Sequence, residues 1–309
     1  MKILVTGGAG FIGSHIVDQL VAAGHDVAIV DNLWDHGGGK QNNLNPKATF
    51  YRADITDETA LAHIFDEVKP EVVSHQAAQA SVAISTQNPQ LDARINILGL
   101  LNVLTNCTRV GVKKIIFASS GATYGTPTRN PVDEEVPQRP ESPYGITKMT
   151  TEYYLRYWHE ANGLNFTALR YGNVYGPRQD PNGEAGVIAI FAKRFLNNEG
   201  VRIDWDGEQR KDYVYVEDVA HANVLALEHG NNDIFCIGAG NPVSVNEIYD
   251  LLAKITGNKP EITRAPKRPG DIYLSYFNPS KAERILGWKP QTNFEEGVRA
   301  TVEYFRGMN

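Results

Sequence analysis

The chain has 309 residues, 42% of them hydrophobic and 21% charged, with a net charge of −6. That composition supplies a core for one large domain or two closely joined ones, and it lacks the basic footprint of a nucleic-acid binder. Two cysteines, Cys107 and Cys236, are too few for a disulfide framework or zinc spacing and read as buried reduced thiols. The opening run MKILVTGG lacks the features of a secretory signal, and no apolar stretch reaches the length of a membrane span. A cytoplasmic protein is expected.

The first half alternates short apolar runs with amphipathic ones. Residues 2–5 form a β-type run that meets a glycine-rich turn, and residues 11–23 carry a helical pattern that Gly24 stops. Residues 26–30, 49–53, 71–74 and 113–118 continue the strands, with helical patterns over 57–68 and 89–110 between them. This alternation implies a parallel sheet covered on both faces, a Rossmann-type doubly wound α/β fold. A long helix is expected over 142–161, with Ser142 as its cap and Pro143 in its first turn, followed by a strand over 165–170. After Tyr175 the texture changes. Residues 176–212 carry Gly-Pro, Asp-Pro-Asn-Gly and Asp-Gly punctuation around one helix near 187–196. The expected division is a dinucleotide domain over 1–175, rejoined by a strand and helix at about 213–235, and a smaller α/β substrate lobe. That lobe takes about 176–212 and 236–309, with helices near 245–256 and 294–306.

Gly7-Gly8-Ala9-Gly10-Phe11-Ile12-Gly13 closes the first strand and opens the first helix. Gly7 permits a tight turn, Gly10 lets the backbone approach a pyrophosphate, and Gly13 allows close helix packing. The helix N-terminus adds free N–H groups and positive partial charge. The first two glycines stand one residue further apart than in the standard dinucleotide fingerprint. Asp31 ends the second strand about 20 residues later, where an acidic side chain accepts both ribose hydroxyls and repels a 2′-phosphate. NAD is therefore favoured over NADP. Asp54-Ile55 either meets the adenine or belongs to the cap region of the next helix. Gly37-Gly38-Gly39 reads as a surface loop.

Tyr144 and Lys148 stand four apart on the long helix and share a face. A phenol with a pKa of about 10 is a poor base at neutral pH, and a neighbouring ammonium, helped by a positively charged nicotinamide ring, is expected to lower it. Ser119-Ser120 follows the fifth strand, at the carboxyl end where such sheets bind ligands. A serine hydroxyl there can bond the substrate oxygen whose carbon loses a hydride. The eight histidines show no metal-ligand spacing, and no Gly-x-Ser-x-Gly elbow occurs. His75, at the end of an apolar strand, reads as a core or loop histidine.

Together these residues resemble the extended short-chain dehydrogenase/reductase family, and within it the NAD-dependent epimerases and dehydratases. The resemblance runs along essentially the whole chain. It is carried by TGGAGFIGSH at 6–15, Asp31-Asn32-Leu33, Asp54-Ile55, His75-Gln76-Ala77-Ala78, and Asn96 with Gly99. It continues through Ser119-Ser120 before Tyr124-Gly125, and Ser142-Pro143-Tyr144-Gly145 with Lys148. Arg170-Tyr171-Gly172-Asn173, Asp212-Tyr213-Val214-Tyr215-Val216 before Asp218-Val219-Ala220, and Arg268-Pro269-Gly270-Asp271 complete it. The resemblance implies NAD contacts from Gly7, Gly10, Phe11, Ile12, Gly13, Asp31 and Asn32. It implies others from Asp54, Ile55, Ala77, Ala78, Asn96, Ser119, Tyr144, Lys148 and Tyr171. Ser120 and Tyr144 would meet the sugar. Asn173, Lys211, Tyr213, Arg268 and Asp271 would hold a nucleoside diphosphate, Arg268 as a fork on phosphate and Asp271 on ribose hydroxyls.

Three positions depart from the common pattern. Lys211, preceded by Arg210, stands where an arginine is usual, which leaves open which of the two meets the diphosphate. Gly121-Ala122 follows Ser120, where 4,6-dehydratases typically carry an acidic pair. Ser275, at a position that helps gate the sugar pocket, is small and leaves room for an N-acetyl group. The implied reaction is reversible inversion at C4 of a UDP-hexose, UDP-glucose or UDP-galactose, through a 4-keto sugar. UDP-N-acetylhexosamine or UDP-glucuronate 4-epimerisation, a decarboxylase or dehydratase, and a non-catalytic NAD or nucleotide-sugar sensor are the alternatives. The resemblance also implies a homodimer in which helices 89–110 and 142–161 of each subunit form a four-helix bundle.

Overall fold

The structure is a computed structural model, and it describes residues 1–34, 37–182, 186–267 and 271–308. The first half runs β1 (Lys2–Thr6), α1 (Phe11–Ala22), β2 (Asp26–Asp31), β3 (Thr49–Arg52), α2 (Glu58–Val68) and β4 (Val72–His75). It continues with α3 (Val82–Gln87), α4 (Pro89–Ala93), a π-helical turn (Arg94–Leu98), α5 (Gly99–Val110), β5 (Lys114–Ser120), α6 (Pro143–Asn162) and β6 (Asn165–Tyr171). Then follow β7 (Asn173–Tyr175), α7 (Val187–Leu196), β8 (Val201–Asp204), β9 (Arg210–Tyr215), α8 (Val216–Leu225) and β10 (Asp233–Ile237). The chain ends through β11 (Pro242–Ser244), α9 (Val245–Thr256), β12 (Ile262–Ala265), β13 (Leu274–Ser275), α10 (Ser280–Leu286) and α11 (Phe294–Arg306).

Among the described residues, seven strands form one parallel sheet in the order β10-β6-β5-β4-β1-β2-β3. The chain winds outward from β1 through β2 and β3, then restarts at β4 on the other side of β1. The strand ends diverge there, and a crevice opens at the carboxyl edge. Both faces are buried, so the strands are apolar runs rather than alternating ones: Ile3, Leu4 and Val5 are all fully covered. One layer packs under α1 and α8, with Ile16, Val17, Leu20 and Val219. The other packs under α2, α5 and α6, with Leu61, Phe65, Leu100 and Leu155. A third core joins α7, α9 and α11 through Phe191, Phe195, Ile248, Leu252 and Val298. Among the described residues, no helix is long and apolar enough to cross a membrane.

Two elements differ from the sequence reading. Residues 89–110 are helical throughout, but a π-helical turn changes the register between α4 and α5. A wider turn inserts one residue without leaving the helical axis, and a 3.6-residue pattern does not register it. The block expected to rejoin the first domain at about 213–235 is also split. Strand β9 pairs with β7, β11 and β13 in a smaller sheet, while α8 packs on α1 and β10 takes the outer edge of the main sheet beside β6. The two-residue period of a strand explains how β9 serves both sides. Val214 enters the layer under α1 and α8, whereas Tyr213 and Tyr215 enter the third core.

Candidate active site

The turn after β1 is shaped by contact. Gly7 has φ 72°, and a Cβ there would lie 2.6 Å from the backbone nitrogen of Ala77. A Cβ at Gly13 would overlap the carbonyl oxygen of Gly7, so the first turn of α1 is pressed against the loop. The N-cap of α1 is Gly10, with no side chain capping the helix, which leaves its N–H groups to a ligand. Phe11 and Ile12 lie in that first turn. Phe11 stands edge-on to His15, and Ile12 packs into the layer beneath.

Asp31 stands at the end of β2, tied to this turn. Its carboxylate accepts from Ala9 N (3.0 Å) and Leu33 N (2.9 Å), and burial raises its pKa against those two bonds. A Cβ on Gly39 would come within 2.7 Å of Asp31 Oδ1. The third glycine of 37–39 is thus a site of close approach rather than only a surface loop. Asp54 is not the cap of α2, a role filled by Asp57 through Ala60 N. Asp54 instead accepts from Asn32 Nδ2 (2.8 Å) and from Thr56. Asp31, Asn32, Asp54, Ile55, Ala77 and Ala78 line one cleft with Gly7. Trp34 and Ile95 line it too. Sequence reasoning missed both, since a tryptophan beside a loop and an isoleucine in a helix carry no motif. A glycine cradle, an uncapped helix start and an anchored carboxylate fit a dinucleotide with free ribose hydroxyls.

The catalytic candidates meet at the carboxyl edge of the same sheet. Ser142 caps α6 by accepting from Gly145 N (3.1 Å), and the helix then carries Tyr144 and Lys148 past the end of β5. The Ser120 hydroxyl accepts from Ala122 N (3.1 Å) and acts on the Tyr144 phenol, favouring its ionised form. Lys148 Nζ donates to Ala118 O (2.8 Å) and lies 5.7 Å from the centre of the Tyr144 ring. Burial pulls Lys148 down to about 8, against the Asp92 carboxylate. Burial pushes Tyr144 up to about 12, opposed by the neighbouring Ser120 hydroxyl and reinforced by Asp92. In the protein alone desolvation dominates the phenol, and the lowering expected from Lys148 together with a positively charged nicotinamide ring belongs to the cofactor-bound site. Tyr171 pairs with Ser120 across β5 and β6. Its hydroxyl accepts from Asn223 Nδ2 (2.8 Å) and donates to Gln76 Oε1 (3.3 Å).

Two predicted cofactor contacts have their side chains committed elsewhere. The Ser119 hydroxyl donates to buried Glu152 (2.6 Å), on the far side of β5 from Ser120, as strand alternation requires. The Asn96 carboxamide accepts from Gln79 N (2.8 Å) and donates to Gln79 O and Asp92 Oδ1 (both 3.0 Å). The π-helical turn directs Asn96 into this network, where it braces the loop after β4. Asp92, Thr147 and Gln79 belong to the same network and were not foreseen. An aspartate one turn before Asn96 looks like a helix-surface residue until the fold buries it.

A second cavity, ≈ 560 Å³, opens beside β9, within the range of sites for small organic ligands. Asn173, Lys211, Tyr213 and Asp271 line it, with Arg194 and Gln209. Lys211 Nζ donates to Ile272 O (2.6 Å), whereas the Arg210 guanidinium is forked onto Glu247 (3.0 and 2.9 Å). Lys211 rather than Arg210 thus faces the cavity. Ser275 lies in β13 beside Lys211. Arg268 falls outside the described residues. The carboxylate of Asp212 is spent on Ala239 N, Gly240 N and Phe277 N, which ties the small sheet to β10. Beyond Ser120, a Cβ at Gly121 would lie 3.0 Å from the Phe277 ring, so the turn has little room for an acidic side chain.

The NAD dependent epimerase/dehydratase family matches residues 3–238. A putative UDP-glucose 4-epimerase of Methanocaldococcus jannaschii is 47% identical over 309 residues, covering 99% of each chain. The structure of UDP-glucose 4-epimerase from Thermotoga maritima, solved with UDP-glucose, shares 51% identity at a TM-score of 0.97, over 100% of this chain and 99% of that one. UDP-glucose 4-epimerase from Thermus thermophilus, in complex with NAD, shares 45% identity at a TM-score of 0.94 over 100% of both chains. The chain belongs to the NAD dependent epimerase/dehydratase family.

Proposed function

We propose that this chain catalyses the reversible, NAD-dependent inversion of C4 in a UDP-hexose, interconverting UDP-glucose and UDP-galactose. The observation that carries the reading is the placement of Ser120, at the end of β5, beside the first turn of α6 with Tyr144 and Lys148 at the carboxyl edge of the sheet, with Gly121 and Ala122 following where elimination would need an acid. The Gly7–Gly13 turn and the start of α1 hold the pyrophosphate of NAD, and Asp31 holds a ribose. When bound, NAD supplies the acceptor and donor of the C4 hydride and, in its oxidised form, a positive charge that favours the phenolate. Tyr144 takes the proton of the 4-hydroxyl and later returns it. Ser120 bonds the same oxygen and holds it against the phenol. Lys148 contributes its charge and anchors this helix turn to Ala118. Lys211 and Asp271 hold the nucleoside diphosphate, with Arg268 as the third member of that set. Tight anchoring there leaves the sugar free to present either face.

Cofactor binding is assigned to the lobe of the main sheet, and nucleotide-sugar binding to the lobe built on β9, α7, α9 and α11. Leu98, Ile146, Tyr153 and Tyr157 are 47–62% exposed on the π-helical turn and α6, and they form the seam of the proposed homodimer. Light scattering should return twice the 34.1 kDa chain mass. Two free, buried cysteines are in keeping with a cytoplasmic setting. The small Ser275 favours a second reading, in which an N-acetyl group at C2 is also accepted.

The test offers UDP-glucose, UDP-galactose, UDP-N-acetylglucosamine and UDP-glucuronate separately to the purified chain, with no NAD added. Formation of the C4 epimer from one of the first two is expected. Accumulation of keto-sugar or pentose would move the reaction to a dehydratase or decarboxylase, and no turnover even with NAD would leave a sensor.

A further inference from the structure

Asp92 is a fully buried carboxylate, 0% exposed, on α4. Its Oδ1 accepts from Gln79 Nε2 (2.9 Å) and Asn96 Nδ2 (3.0 Å), and its Oδ2 accepts from Thr147 Oγ1 (2.9 Å). All three donors are neutral. Burying an ion among neutral partners is costly, and an asparagine would fill much the same space with much less desolvation. A purely structural strut therefore does not explain the charge.

The surroundings do. Thr147 lies on α6 between Tyr144 and Lys148, and its hydroxyl is also 3.0 Å from Tyr144 O. Lys148, for its part, donates to Ala118 O and lies over the rings of Phe117 (4.8 Å) and Tyr144 (5.7 Å), and none of these is a carboxylate. The other elements packed around Asp92 bring no competing charge. Helix α6 presents Tyr144 and Lys148, α3 carries no titratable side chain, and Arg94 of the π-helical turn is exposed and interacts with Asp54. One turn further along α6, Glu152 is taken up by Arg170. His75 on β4 is held neutral by burial and adds no counter-charge.

We propose that Asp92 is a positioning residue for the reaction: through Thr147 its carboxylate holds the Tyr144–Lys148 turn in place, and its charge keeps the Lys148 ammonium protonated. This rests on the assignment of Tyr144 and Lys148 as the acid–base pair. The charge acts on both groups in the same direction. It raises the pKa of Lys148 and that of Tyr144, so it sets where on the pH scale phenolate and ammonium coexist.

The test uses the full chain with its retained NAD and compares Asp92→Asn with the unaltered enzyme. Both limbs of the kcat profile are expected to move to lower pH, by about one unit for loss of a buried charge that acts on both groups. A profile that falls in height with both limbs in place would overturn the charge role. Thr147→Val keeps the carboxylate and cuts its bond to α6. It is expected to lower kcat about tenfold with unmoved limbs, as for loss of a hydrogen bond to a charged group; an unchanged kcat would overturn the positioning role. A titration of tyrosine carbon-13 resonances, with the Tyr144 signal identified by its loss in Tyr144→Phe, reads the phenol without any turnover. A lower Tyr144 pKa in Asp92→Asn supports the proposal and an unmoved one refutes it, whichever sugar the enzyme uses. Absence of epimerisation in the unaltered enzyme would instead count against the functional reading alone.

Discussion

Two adjacent turns of α6 bury ions and treat them in opposite ways. Glu152 receives Arg170 Nη2 (2.6 Å) and Nε (2.9 Å) as a fork, with Ser119 (2.6 Å) and Gln138 (2.9 Å) on its remaining lone pairs. Burial works against the charge of Arg170, and its bonds to Glu152 more than offset that, so its pKa rises. Lys148, four residues earlier, has one carbonyl and a carboxylate that reaches its turn through Thr147. Burial there wins and leaves the ammonium at about 8. Complete pairing fixes a fold and takes a group out of acid–base chemistry. Incomplete pairing leaves a group whose charge responds to what binds beside it.

The sharpest way to break this contrast is to disable each turn separately. Tyr144→Phe should lower kcat by about 10²–10⁴, the range of a lost general acid–base group, with NAD still bound after gel filtration and the melting temperature little changed. Full activity in that variant would remove the basis for calling this the reactive turn. Glu152→Gln should do the reverse. Denaturant unfolding should show a loss of about 3–5 kcal/mol, because Arg170 is left as an uncompensated buried charge, and the pH limbs of any remaining activity should not move.

A buried histidine offers a third treatment of charge, exclusion of the proton. His75 accepts or donates one bond with Thr6 Oγ1 (2.7 Å), stacks on Phe117, and is held at about 3 by burial, with the Lys148 charge adding to it. His15 is held at about 4, also by burial first. Both folded values lie below the unfolded value of about 6.5, so below that pH the unfolded chain binds more protons. Stability is fully present above about pH 6.5 and falls as pH drops toward 4 and then 3. Urea midpoints between pH 7 and 4.5 should show the decline, and His75→Gln should flatten it. The smallest effect is expected at the surface. A double-mutant cycle on Lys40 and Asp180 (3.0 Å, both partly exposed) should give a coupling of about 0–1 kcal/mol.

The dinucleotide half was legible because its constraints are local. Gly7 must take a positive φ, Gly13 must lack a Cβ, and Asp31 must end a strand, so each leaves a mark at a set spacing. Tyr144 and Lys148 were legible for the same reason, as neighbours on one helix. Residues whose roles depend on burial or distant contacts were not. Asp92 is recognisable only once α4 is packed on α6, and Trp34 only once its loop closes on the cleft. The side-chain partners of Ser119 and Asn96 were not legible, because a motif records identity and not the direction of a side chain. The alternation of β5 and one π-helical turn decided those directions. Strand β9 escaped the domain division because one strand packs its two faces into two cores.

The central claim is transient oxidation at C4, with the hydride returned to the same carbon. UDP-glucose carrying deuterium at C4 should be incubated in ordinary water with the purified chain, and the product examined by proton NMR and mass spectrometry. Retention of the deuterium at C4 of UDP-galactose is the result this account predicts. Loss of the label to solvent would mean that C4 gives up a proton rather than a hydride, and would contradict it.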